Sequence, residues 1–197
     1  MTNTLRLFQM RCGALLSLLI LACIAVQGQE HRQIDVQKSK LTVRVYKSGL
    51  FSAFAHDHEI TAPITHGVFQ EANPSVELTV DARKLRVVDP EVSDKDRAEI
   101  QATMLSAKVL EAEKFPEISF RSSKIERLGA DKWAVQGDLS LHGQTRPVKV
   151  EVERQSGIYR GSATVLQKDF GIEPIRIAGG SVKVKNEVRI EFEIVGH

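Results

Sequence analysis

Thiol chemistry is nearly absent from this sequence. Of its 197 residues only two are cysteine, Cys12 and Cys23, and both fall among the first 28. A chain cut after Gly28 therefore keeps no thiol, which excludes disulfides, thiolate metal sites and cysteine nucleophiles from the remainder. Acid is missing from the same stretch. Arg6 and Arg11 precede an apolar run from Gly13 to Val26 with small residues at Ala25 and Gly28, and that run is shorter than the ~20 residues a membrane span needs. This is the layout of a secretory signal peptide over residues 1–28, leaving a single domain over 29–197 that starts at Gln29. The alternative is Ile20-Leu21-Ala22-Cys23, similar to the lipobox at which bacteria acylate a cysteine and tether the protein to a membrane.

An excess of one charge is also missing. Lys and Arg number 27 against 25 Asp and Glu, and removal of Arg6 and Arg11 brings the two to equality. A neutral chain has no electrostatic footprint for nucleic acid or an anionic bilayer surface, so neither is an expected partner. Catalytic motifs are missing too. No Gly-x-Ser-x-Gly elbow occurs, and Ser140 and His142 are strand neighbours leading into a turn rather than a nucleophile and its base. Asp169-Phe170-Gly171 has neither a phosphate loop nor a catalytic loop beside it. The expectation is a protein without catalytic residues or cofactors.

What the sequence does have is alternation. Leu41-Val43-Val45, Val76-Leu78-Val80, Trp133-Val135 with Leu139-Leu141, Val148-Val150-Val152, Val182-Val184 and Val188-Ile190-Phe192-Ile194 place an apolar residue at every second position. Period two means strands with one buried face. The separators are turn residues: Gly129-Ala130-Asp131, His142-Gly143, Ser156-Gly157, Gly179-Gly180 and Lys185-Asn186. Short turns between close strands predict an antiparallel meander. Pro63 cannot donate to a ladder, so its strand is bent, bulged or at an edge there. Uninterrupted alternation puts Trp133, Val135, Leu139 and Leu141 on one face; a bulge at Gly137 would divide them.

One stretch breaks the pattern. Ser93-Asp94-Lys95-Asp96 has the form of a capping box, and Ile100, Met104 and Leu105 follow on one stripe, predicting a helix from Asp94 to Ser106. A lone helix among strands needs an apolar surface, and one mouth of a barrel would supply it.

His56-Asp57-His58 is the cluster that looks most like chemistry. In an extended segment His56 and His58 share a face and could hold a metal with His66 as third ligand, while Asp57 points away. Two ligands leave a zinc site incomplete, so solvated or hydrogen-bonded imidazoles are the preferred reading and no metal site is expected.

Three phrases in fixed order carry a resemblance: Lys114-Phe115-Pro116-Glu117-Ile118-Ser119-Phe120, Gly137-Asp138-Leu139-Ser140-Leu141-His142-Gly143-Gln144-Thr145-Arg146-Pro147, and Lys168-Asp169-Phe170-Gly171-Ile172. With Asp96-Arg97, Leu105-Ser106 and Val109-Leu110 they resemble the YceI-like family of periplasmic lipid-binding β-barrels. The resemblance implies a mainly β, antiparallel, lipocalin-like barrel of about eight strands with one short helical insertion. It also implies a secreted or periplasmic carrier whose partner is a polyisoprenoid or isoprenoid-quinone lipid. The interior expected to hold that tail comprises Val43, Val45, Phe69, Leu78, Val80, Phe120, Trp133, Val135, Leu139 and Leu141, with Ile100, Met104 and Leu105 of the helix closing one end. The competing reading is a non-enzymatic envelope stress or interaction protein with a filled barrel and the His56/His58 loop as its working surface. Oligomeric state is left open.

Overall fold

The computed structural model describes residues 31–48, 57–71, 73–177 and 182–196. Residues 1–28, expected from sequence to be a signal peptide and containing both cysteines, lie outside the described residues, as do His56 and the Gly179-Gly180 separator.

The alternating segments form one antiparallel sheet. Its strands are β1 (Arg32–Gln33), β2 (Lys40–Ser48), β3 (His58–Thr61), β4 (Ile64–Gln70), β5 (Ser75–Asp81), β6 (Arg86–Val87), β7 (Glu117–Arg127), β8 (Lys132–Leu141), β9 (Gln144–Gln155), β10 (Ile158–Leu166), β11 (Arg176–Ile177) and β12 (Val182–Val195). The order is β1-β4-β5-β7-β8-β9-β10-β12-β2-β3-β6, with β11 attached to β12. The expected count of eight strands is not the count found. The middle of the sheet is the predicted meander, β7 through β10, and it curls so that inner faces meet across a common interior.

Turn chemistry accounts for the hairpins. His142 (φ 51°) with Gly143 (φ 71°), and Ser156 (φ 52°) with Gly157 (φ 79°), are the central pairs between β8 and β9 and between β9 and β10. Two successive left-handed residues match the twist of the flanking strands. Lys185-Asn186 is not a turn: β12 runs straight through it, and the irregularity is a register shift against β2 between Val184 and Val188. Pro63 acts as its missing N–H requires. The chain breaks there into β3, which pairs with β2, and β4, which pairs with β5.

The bulge considered at Gly137 lies one strand away, in β7 between Ser122 and Lys124. β8 keeps an unbroken register with β9 from Lys132 to Leu141, so its odd-numbered residues stay on one face. Gly137 has a different purpose. A Cβ there would sit 2.5 Å from the Phe120 ring and from the Arg121 carbonyl oxygen, so glycine makes room for an aromatic ring of the adjacent strand.

The single α-helix among the described residues, α1, spans Asp94–Leu105, one residue shorter than predicted. The Ser93 hydroxyl oxygen accepts from Asp96 N at 3.2 Å, the N-cap half of the capping box, and the return contact runs from the hydroxyl to Asp96 Oδ2 at 2.8 Å rather than from the Ser93 backbone N–H. Gln101 then pins the helix along the sheet edge: its Oε1 accepts from Val87 N and its Nε2 donates to the Leu85 carbonyl, both at 2.8 Å. Around this end the interior is solid, with Val80, Ala82, Ala112 and Phe170 each only 1% exposed. Asp169 and Phe170 belong to a 3₁₀ turn over Gln167–Phe170 that Gly171 (φ 71°) caps in the left-handed region.

Candidate functional site

Away from the helix the interior opens into a cavity of about 590 Å³, within the usual size of ligand sites. Val43, Val45, Phe69, Leu78, Val80, Phe120, Trp133, Val135, Leu139 and Leu141 all line it, so the four residues of β8 share the inner face. Val80, Val135 and Leu139 are buried. Val43, Val45, Leu78 and Leu141 point inward yet are only half-buried, because their accessible surface is the cavity wall. The centre of the molecule is thus hollow rather than filled by side chains.

The helix contributes less than expected. Met104 lines the cavity together with Leu85, Val109 and Leu110, whereas Ile100 and Leu105 pack behind them against the solid core. Gln101 holds α1 along β6, so only its last turn and the segment after it reach the interior. These residues form an apolar floor.

The charged residues of the wall, Glu71, Arg127 and Arg154, lie at the opposite end. Tyr159 Oη donates to Glu71 Oε1 at 2.9 Å, and Arg32 Nη1 donates to the same oxygen at 2.9 Å. Arg154 Nε donates to Asp131 Oδ1 at 2.9 Å, and its guanidinium carbon lies 5.7 Å from the Trp133 ring centroid and 5.9 Å from that of Tyr159. Arg127 donates to the carbonyls of Gly129 and Ala130 at 2.9 and 2.8 Å. Phe69 meets Tyr159 edge-on at 5.4 Å. The electrostatics follow from these contacts. The Tyr159 hydrogen bond, then Arg32, hold the Glu71 carboxyl below its ordinary range, while burial and then the Glu71 carboxylate push the Tyr159 phenol up.

Sequence reasoning missed this mouth because it searched for apolar stripes and stopped where they became polar. The signal was available. Arg154 is the next even position after Val148-Val150-Val152, and Tyr159 is the odd position that heads Gly161-Ala163-Val165. Arg127 was harder to see, since the β7 bulge shifts the inner face from Phe120 to Ile125 and Arg127. Lys84, Arg86, Lys149 and Arg176 do not contribute to the wall.

Of the candidate metal-ligating set, the described histidines His58 and His66 do not converge. His58 Nδ1 lies 2.7 Å from Oδ2 of the buried Asp89, whose Oδ1 accepts from Glu59 N at 2.6 Å. His66 is exposed on β4 opposite Thr79. Among the described residues no group of three His, Cys, Asp or Glu could hold a metal ion. Ser140 Oγ is 2.8 Å from Thr145 Oγ1, and His142 Nδ1 is 3.0 Å from the Phe170 carbonyl, so each has a structural partner.

The chain belongs to the YceI-like family, whose domain model matches residues 32–196. A UPF0312 protein of Vibrio vulnificus (strain YJ016) is 30% identical over 171 residues, covering 82% of this chain and 81% of the relative. A UPF0312 protein of Vibrio cholerae (strain M66-2) is 31% identical over 131 residues, 61% of this chain and 63% of the relative, so the match spans less than two thirds of that protein's length. Among solved structures the fold is similar to that of Burkholderia cenocepacia BcnA, with a TM-score of 0.58 at 20% identity over 82% of this chain and 98% of that one.

Proposed function

We propose that this protein is a non-enzymatic carrier that takes the tail of a polyisoprenoid or isoprenoid-quinone lipid into its apolar interior. The observation that carries the reading is the continuous cavity of about 590 Å³ between an apolar floor at Met104 and Leu110 and a mouth ringed by Trp133, Tyr159 and Arg154. Each CH₂ removed from water stabilises the complex by ~0.8 kcal/mol, so a long branched tail binds without a dedicated polar site along its length. In this reading β3 and β4 act as one kinked stave, which closes the sheet into the lipocalin-like barrel of about eight staves that the resemblance implies. The leader over residues 1–28 sends the protein to the periplasm or outside the cell, with acylation at Cys23 as the tethered form.

The test is organic extraction of protein purified from its own host without detergent, followed by mass spectrometry. A stoichiometric prenyl lipid is the expected result. Lipid-free protein that also takes up no prenyl chain when one is supplied would overturn the carrier reading in favour of a surface-interaction protein.

A further inference from the structure

The polar end of the cavity discriminates between head groups, an inference that rests on the carrier reading. All three charged wall residues are at the mouth, so a tail lying on the Met104 floor leaves its head among them. The charges there are largely answered already. Glu71 accepts from Arg32 and Tyr159, Arg154 is held by Asp131, and Arg127 is turned onto two backbone carbonyls. Three guanidinium groups thus stand against two carboxylates, Glu71 and Asp131.

Each guanidinium has more N–H donors than these contacts use, because arginine offers five. The ring is accordingly rich in donors and poor in net positive charge. A diphosphate placed there would bring several negative charges against Glu71 and compete with Asp131 for Arg154, at a desolvation cost that the cations, already engaged, do not offset. An oxygen of an uncharged head can accept from the spare N–H groups without displacing anything. The rings of Trp133, Tyr159 and Phe69 also offer aromatic surface to a planar head.

We infer that the mouth formed by Glu71, Arg127, Arg154, Trp133 and Tyr159 selects an uncharged head with acceptor oxygens over a phosphorylated head on the same prenyl tail. Phosphate recognition would instead call for several arginines without carboxylate partners; at this mouth Arg32 and Arg154 are paired with carboxylates, and Arg127, which is not, is turned onto the Gly129 and Ala130 carbonyls.

The experiment compares geranylgeraniol, geranylgeranyl diphosphate and menaquinone-4, which share one tail, with squalene as a hydrocarbon lacking any head. Binding to the mature protein is followed by Trp133 fluorescence and checked by native mass spectrometry. The alcohol and the quinone should bind about tenfold or more tighter than the diphosphate. Glu71→Gln, which removes the repelling carboxylate and frees Arg32, should narrow that gap by raising diphosphate affinity. Arg154→Gln, which removes the guanidinium donors from the rim, should lower binding of the two neutral heads several-fold and leave squalene unchanged. Diphosphate binding equal to or tighter than that of the neutral heads would overturn the inference while leaving the carrier reading intact. Failure of all four compounds to bind would remove the carrier reading, and this inference with it.

Discussion

Tyr159 donates its phenolic hydrogen to Glu71 across 2.9 Å, tying the start of β10 to the residue that follows β4. These strands are not neighbours in the sheet. The bond spans the rim rather than running along a ladder, and Arg32 from β1 meets the same carboxylate oxygen.

Removing that hydroxyl should be read in the carboxylate. In Tyr159→Phe the main cause of the lowered Glu71 pKa is gone, so the Glu71 titration should move up toward the ordinary ~4.3 of a glutamate. A depressed folded-state pKa contributes stability above the unfolded value and loses it as pH falls through the folded one. The wild-type rim should therefore loosen only in acid, and the variant should lose that acid-dependent increment of stability. Side-chain carboxyl NMR across an acid titration measures both.

Met104→Ala should destabilise by about 2 kcal/mol, toward the low end for a buried methionine, since one side of Met104 faces the cavity rather than packed atoms. The variant should also deepen the cavity at its floor. Urea unfolding measures the first effect, and a shift in preference toward longer prenyl chains checks the second.

Gly137→Ala should cost about 2 kcal/mol, because the added methyl meets Phe120 and the Arg121 carbonyl at once. In a Phe120→Ala background the penalty should shrink without vanishing, since the backbone clash remains. A double-mutant thermal unfolding cycle gives the coupling.

Gln101→Ala should release α1 from β6. The Val87 N–H loses its side-chain partner while the Leu85 carbonyl keeps the bond from Arg86 Nη1, a loss of about 1–3 kcal/mol for a donor sheltered from water. Amide hydrogen exchange should rise at Val87 while the amides of β8 and β9 stay protected.

Much of this architecture could be read from residue order. Period-two apolar spacing located β2, β5, β8, β9 and β12, and Ser93 with Asp96 marked the start of α1, because these signals depend on neighbours a few residues apart. Lys185-Asn186 misled because a bulge within a strand uses the same residue types as a turn; only pairing with β2 distinguishes the two. Ile100 and Leu105 share a stripe with Met104, but which turn of a helix reaches a cavity depends on where the helix is pinned. That was decided by Gln101, a polar residue that no hydrophobic pattern singles out. The rim was hard to see for a similar reason: Arg154 and Tyr159 pair across the β9–β10 hairpin, but Glu71 comes from a distant part of the sequence and joins them only after the sheet curls.

The bridge between Ile34 and Gly196, reinforced by the 2.8 Å bond from Asp35 N to the Val195 carbonyl, brings the two ends of the described fold side by side. The domain is topologically almost a ring. Linking residue 196 to residue 32 through a short flexible spacer would add little closure entropy, so a circular permutant opened elsewhere should retain the sheet. A fluorophore or fusion partner attached at either end would report on the rim, not on the floor.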